Sequence, residues 1–206
     1  MYTMKTPYRR SPLALAVLAL LYEAPMHPYR MQRLIKERGK GEVVNVRERA
    51  SVYQVIERLE REALISPRET VREKGRPERT VYEITDEGRY TAQVWMREML
   101  AMPKREYPEF PVAIAYLPML SPEEASGLLE ERIRALEEEL GRIDAELDKD
   151  RDAVPRLFLL EMEYLRTALE AEISWVSALV GDLHAGRITW SEEWMRRLAE
   201  TLEEGR

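Results

Sequence analysis

Apolar and polar positions recur along this chain with two periods, and the change from one to the other marks its elements. Residues 13–22 are apolar nearly all round and predict a buried helix, which Ser11 can cap and Pro12 can open. A second helix starts at His27-Pro28. It puts Tyr29, Met31, Leu34 and Ile35 on one face and Arg30, Arg33, Lys36 and Arg38 outside it, until Gly39 and Gly41 break it. Residues 43–46 read as a short strand before the next helix, which begins somewhere between Asn45 and Ala50. Within residues 51–65, Val52, Ile56, Leu59 and Ala63 recur at steps of four, three and four, a single buried stripe. At about 100° per residue the opposite side carries Ala50, Gln54, Glu57 and Arg61, with Tyr53 and Arg58 on the flanks. The period then falls to two. Residues 65–72 and 79–85 alternate as strands about a Gly75-Arg76-Pro77 turn with cations at its tip. Thr85 or Asp86 caps a further helix to about residue 102, with Tyr90, Val94 and Leu100 among its apolar positions.

Five prolines, Pro103, Pro108, Pro111, Pro118 and Pro122, then interrupt the pattern, although residues 112–120 are apolar enough for a packed short helix. Ser121-Pro122-Glu123-Glu124 is a capping box opening a long helix. Leu129, Ile133, Leu136, Leu140, Ile143 and Leu147 alternate there at four- and three-residue steps, a heptad seam that Gly141 weakens slightly. A second long helix, to about residue 183, carries Phe158, Met162, Leu165 and Leu169, then shifts to Ile173, Val176, Val180 and Leu183, a four-residue stutter. Thr189-Trp190-Ser191-Glu192 is a further capping box, leading a helix with Trp190, Trp194, Leu198 and Leu202. The two seams could close a hairpin within one chain. They offer more apolar surface than one hairpin hides, so the pattern predicts a homodimer. The order helix, helix, helix, ribbon, helix predicts a mainly α chain: a winged helix-turn-helix domain over residues 1–102, a Pro-rich junction over 103–120 and a helical coiled-coil dimerisation domain over 121–206.

Composition narrows what such a chain can do. Its 206 residues are 45% hydrophobic and 34% charged, too apolar for disorder. Cysteine is absent, so disulfides and thiolate metal sites are excluded. The longest apolar run, residues 13–21, is far short of a membrane span, and no signal-peptide pattern opens the chain, so the cytoplasm is the expected location. The net charge of −6 would oppose nucleic acid if it were spread evenly. It is not: residues 1–100 hold 19 Lys and Arg against 14 Asp and Glu, a net of +5, and residues 101–206 hold 13 against 24, a net of −11. The first half can make phosphate contacts, whereas the second would be repelled from a duplex. Glu-rich helices are also ordinary solvated faces. The two histidines, His27 and His184, have no metal-ligand spacing, and no Gly-rich phosphate loop or nucleophile motif occurs. Neither an enzyme nor a bound cofactor is expected.

A helix with a polar outer side followed by a basic two-stranded ribbon suits double-stranded DNA. The candidate contacts are Arg49, Ser51, Tyr53, Gln54 and Arg58 from the helix and Lys74, Arg76 and Arg79 from the ribbon. Gln54 suits adenine N6 and N7, and the ribbon cations suit phosphate or the minor groove. Each has a plainer alternative: Ser51 as a helix cap, Tyr53 packed on the ribbon, Gln54 merely solvated. Glu57 could accept from cytosine N4 or hold Arg61 in an i,i+4 pair. Lys5, Arg9 and Arg10 could form a phosphate-binding arm or be inert chain-end charges.

Three stretches carry a family resemblance: Pro25-Met26-His27-Pro28-Tyr29; Ser51-Val52-Tyr53 leading into Arg58-Leu59-Glu60-Arg61-Glu62-Ala63-Leu64-Ile65; and residues 75–89, GRPERTVYEITDEGR. In this order and spacing, across residues 12–90, the chain resembles PadR-family transcriptional regulators. The resemblance implies a winged-helix repressor that binds an operator, dimerises through its C-terminal helices and often answers to a small aromatic or amphipathic effector. It also implies phosphate contacts for Ser51 and Tyr53. Pro28 stands where the family usually has Gly, Gln54 where it often has Pro, and Ala63 where it often has Gly; Pro28 and Ala63 are expected to leave the fold unchanged. Trp95 and Met99, with Met96 and Met102, could line an effector pocket, as could Trp175, Trp190 and Trp194, though such residues at helical spacing are usually core. The rival reading is a winged helix that docks a protein and not DNA.

Overall fold

The first helix forms where the Ser-Pro pair puts it. Ser11 Oγ accepts from the Ala14 amide at 3.2 Å, Pro12 occupies the first turn, and α1 runs Pro12–Glu23 with Ala14, Val17, Leu18, Leu20 and Leu21 buried. This computed structural model describes residues 8–45, 49–71, 79–191, 193–194, 196–197 and 200–201; for 49, 50, 70 and 71 it describes the backbone alone. The chain divides into two compact units, Met1–Arg105 and Glu106–Arg206.

In the first unit α2 spans Pro28–Glu37, with His27 as its cap and Met31 and Ile35 buried. A 3-10 turn, Lys40–Glu42, follows. The strand expected at residues 43–46 does not form over residues 43–45; Val44 drops into the core instead, and Val46 lies outside the described residues. Next comes α3, Arg49–Arg61, whose Val52, Ile56 and Leu59 are buried against α1 and α2 as the spacing requires. Ala63 does not extend that stripe. The chain has already left the helix: Leu64 N–H donates to Leu59 O at 2.9 Å and Ala63 N–H to Glu60 O at 2.9 Å, with Ala63 at φ 56. These paired bonds satisfy the last carbonyls through a left-handed residue, which glycine adopts without penalty and alanine does not. The substitution at this position is therefore not neutral for the backbone.

The ribbon pairs β1 (Ile65–Val71) with β2 (Arg79–Ile84) antiparallel, from Ile65 opposite Ile84 to Val71 opposite Arg79. The register shifts between Pro67 and Glu69, so Arg68 bulges where proline has already removed a donor. Met26 adds a third edge that the sequence pattern does not suggest, exchanging both backbone bonds with Tyr82 at 3.1 Å. Thr85 then joins three elements: its Oγ1 accepts from the Gly88 amide at 3.0 Å and donates to Ala63 O at 2.8 Å, and its own amide donates to Leu64 O at 3.1 Å. It caps α4, Asp86–Ala101. At Gly88 that helix lies so close to the end of α3 that a Cβ would sit 2.0 Å from Leu64 O.

The second unit begins with a short α5, Glu109–Ala115, and a 3-10 turn, Leu117–Met119, where one helix over residues 112–120 was expected. Ser121 Oγ accepts from the Glu124 amide at 3.1 Å and opens α6, Pro122–Asp150. After a 3-10 turn at Arg156–Phe158, α7 runs Leu160–His184 back along it. Phe158 thus precedes the helix whose seam it was expected to open, and it is exposed. Leu129 packs with Val176, Val180 and Leu183, and Ile143 and Leu147 pack with Met162. Arg132 Nε donates to Glu172 at 2.7 Å while its guanidinium covers the Phe110 ring, so α5 is clamped onto the hairpin. Trp190 packs on the same cluster and its Nε1 donates to Leu120 O at 2.8 Å. The last helix is capped by Ser191, which accepts from the Trp194 amide, and not by Thr189; Leu198 and Leu202 lie outside the described residues. Among the described residues no helix is long and apolar enough to cross a membrane.

Candidate nucleic-acid interface

The buried stripe of α3 fixes which side it presents. With Val52, Ile56 and Leu59 sealed in the core, Tyr53, Gln54, Glu57 and Arg61 are exposed on the other side, and Tyr53 keeps 47% of its surface. Ser51 is half-buried near the helix start. The helix is anchored below by its apolar stripe and at its end by the Ala63–Thr85 bond, so the presented face is rigidly backed. The i,i+4 pair expected between Glu57 and Arg61 does not form among the described contacts.

Arg58 has a different task from the one its charge suggests. It is half-buried, with Nη1 donating to Arg9 O at 3.2 Å and Nη2 reaching Ser11 Oγ at 3.4 Å. A guanidinium held against the start of α1 is a clamp between two helices and is not free for a phosphate. Arg10 is similarly tied, its Nη1 meeting Glu98 at 3.1 Å, whereas Arg9 lends only its backbone carbonyl to Arg58 and is exposed. Lys5, Lys74, Arg76 and the side chain of Arg49 lie outside the described residues.

Cationic potential gathers instead where α2 meets the ribbon. His27 Nδ1 accepts from the Arg30 amide at 3.1 Å, which requires that nitrogen to be unprotonated. Burial, and then Arg79, Arg30 and Arg33, hold the imidazole below its ordinary pKa. Arg79, half-buried at the start of β2, thus acts together with α2, while the other described ribbon cation, Arg68, pairs with Glu83 at 3.6 Å. Neighbouring Tyr82 is pushed up by burial and by the Glu60 and Glu57 carboxylates, so its phenol stays protonated at neutral pH.

Of the effector candidates, Trp95 is 1% exposed inside the core of the first unit. It cannot line an open pocket; it holds α4 down. Met99, Met96 and Met102 are exposed on α4 and beyond its end. The seam assigned to dimerisation is also largely occupied within the chain. Leu129, Ile143 and Leu147 are buried in the α6–α7 hairpin, Ile133 packs on its upper cluster, and Leu136 and Leu140 are half-buried. A further apolar stripe lies on the far side of α7. Leu160, Tyr164, Ala168, Ala171, Trp175 and Ala178 are all exposed, at steps of four, four, three, four and three, with Tyr164 at 72% and Trp175 at 51%. Its spacing is legible in the sequence but hidden by the stronger leucine seam. Among the described residues no His, Asp and Glu group is arranged to hold a metal.

Residues 17–94 match the sequence pattern of the transcriptional regulator PadR-like family. No protein of curated function matches the chain. Among solved structures, Bacillus subtilis PadR in complex with operator DNA is 20% identical, with a TM-score of 0.71 over 85% of this chain and 99% of that one. The same protein in complex with p-coumaric acid is 18% identical, with a TM-score of 0.69 over 84% and 99%. The Vibrio cholerae virulence activator AphA is 16% identical, with a TM-score of 0.64 over 84% and 98%. At these identities the likeness establishes the fold: helices with a two-stranded wing, followed by C-terminal helices.

Proposed function

We propose that the chain is a PadR-like transcriptional regulator that binds a duplex operator in sequence-specific fashion, since residues 17–94 match the pattern of that family. The observation that carries this reading is the two-sidedness of α3: an apolar stripe committed to the core, and Tyr53, Gln54 and Arg61 exposed opposite it, with the Arg79 cation opening the second strand of the ribbon. In this reading α3 enters the major groove, Ser51 and Tyr53 hold phosphates, Gln54 reads adenine, and Arg79 with Lys74 and Arg76 meets the backbone or the minor groove. The operator complex of the Bacillus subtilis protein supports the assignment by analogy of fold.

We further infer a homodimer on a palindromic site, acting in the cytoplasm as a repressor, joined through the exposed stripe of α7 and not through the seam already used in the hairpin. Release by a small aromatic effector is supported only by the p-coumaric acid complex of the Bacillus subtilis protein. A fluorescent operator, selected from a random pool, is titrated in rising salt with and without aromatic acids. Specific DNA binding requires affinity that falls steeply with salt. A retained complex whose affinity ignores salt, or no selected sequence at all, would favour the protein-docking alternative.

A further inference from the structure

We propose that Glu57 is a specificity-determining residue that reads the exocyclic amino group of a cytosine in the major groove. The inference rests on the DNA-binding reading of α3 and adds to it the one presented residue whose charge opposes DNA. Three observations single it out. Glu57 lies on the exposed face three residues after Gln54 and four after Tyr53, so the three side chains share one stripe of the helix. Its carboxylate has no ion-pair partner among the described residues: Arg61, one turn on, does not take it, and Arg58, its chain neighbour, is turned back to Arg9 O and Ser11 Oγ. Finally, the nearby phenol of Tyr82 is held by Glu60, leaving Glu57 with a longer-range influence on it.

An anion on a face that meets phosphates lowers affinity for every sequence unless it finds a donor there. The major groove offers such a donor in cytosine N4, and a carboxylate, which only accepts, matches it. Guanine presents N7 and O6 acceptors at that edge and would repel the same group. From Gln54 to Glu57 the helix rises about 4.5 Å, a little more than one base-pair step, so an adenine read by Gln54 and a cytosine read by Glu57 can be adjacent or nearly so. Glu57 therefore acts by exclusion as much as by attraction: it narrows the set of sites at the cost of general affinity.

Site selection from a random duplex pool with the full chain and with E57A and E57Q tests this. The wild type should select a motif with one position favouring cytosine by about tenfold over guanine. E57A should lose the preference at that position alone, to within about twofold, keep the rest of the motif, and bind unselected duplex several-fold more tightly. E57Q, which both donates and accepts, should move the same position toward adenine. Identical motifs from wild type and E57A, with matching helical circular dichroism, would overturn the assignment of Glu57 and leave DNA binding intact. If the wild type itself selects nothing, the DNA-binding reading and this inference both fail.

Discussion

The helices α3 and α7 are built on opposite plans. In α3 one side is apolar and fully committed, and the polar side is what remains to act. In α7 both sides are apolar: Met162, Val176, Val180 and Leu183 close the hairpin, while Leu160, Tyr164 and Trp175 are left in solvent. The contrast shows where function sits on a helix of known packing. A polar residual face suits an aqueous, charged partner, whereas an apolar residual face requires burial by another surface. Residual faces have this meaning only if the packed faces are fixed, so the platform beneath α3 is the first thing to break. Gly88→Ala places a methyl 2.0 Å from Leu64 O, where backbone and not a flexible side chain must yield. A loss of about 3 kcal/mol is expected, read as a lower urea midpoint with a matching loss of DNA affinity. An unchanged midpoint would mean that the α3–α4 contact is looser than this geometry requires.

The second test strikes the residual face of α7. Tyr164→Glu with Trp175→Glu should convert a dimer to monomers in sedimentation, lower the melting temperature of the hairpin only by the loss of the edge-on Phe110–Trp175 contact, and weaken binding to a palindromic operator about a hundredfold. The contrasting variant, Leu136→Glu with Leu140→Glu, should destabilise the hairpin itself because those residues are half-buried within one chain. Should the leucine pair abolish dimerisation with no loss of stability while the aromatic pair does nothing, the leucine seam is the interface and the aromatic stripe is not.

Much of this contrast can be read from the sequence. Every capping Ser and Thr that starts α1, α4 and α6 is visible there, because cap chemistry is local and the apolar run follows immediately. The α3 stripe is visible for the same reason, except at its end. Ala63 extends the four-three-four rhythm, so periodicity enrols it in the core, while the backbone has already turned left-handed. Only the departure from glycine hints at this. The surroundings of Arg58 and Arg10 are not legible in the sequence because charge alone does not say whether a guanidinium points to solvent; long-range neighbours, Arg9 O and Glu98, decide it. The exposed face of α7 and the Met26–Tyr82 pairing share that cause, since each depends on which partner a segment meets in three dimensions.

Ala63 therefore yields a smaller and opposite effect. Ala63→Gly relieves a left-handed alanine at the terminus of α3, and the relief exceeds the added freedom of the unfolded chain. Stability should rise by about 0.5–1 kcal/mol, seen as a higher urea midpoint with the same slope. Because the residue sits beyond the presented face, the selected DNA motif should not change. A gain in stability accompanied by a shifted motif would mean that the end of α3 sets the pose of Tyr53 and Gln54.

The smallest effect concerns the start of α2, where the cap is titratable. His27 accepts the Arg30 amide through Nδ1, and burial with Arg79, Arg30 and Arg33 depresses its pKa below 6.5. The unfolded chain then binds the proton more readily than the folded one, so stability must rise with pH across the interval between the two values. The cap's contribution is complete above 6.5 and is lost as pH falls from there through the depressed folded value. His27→Asn supplies an acceptor that does not titrate in this range and ranks among the best helix caps. In paired urea titrations the stability difference between the two proteins should therefore be flat above neutrality. It should move in favour of the H27N variant as the pH drops. A difference that stays constant from neutral to mildly acidic pH would show that neither burial nor the three arginines depress this cap, and with it would go the case that Arg79 acts together with α2.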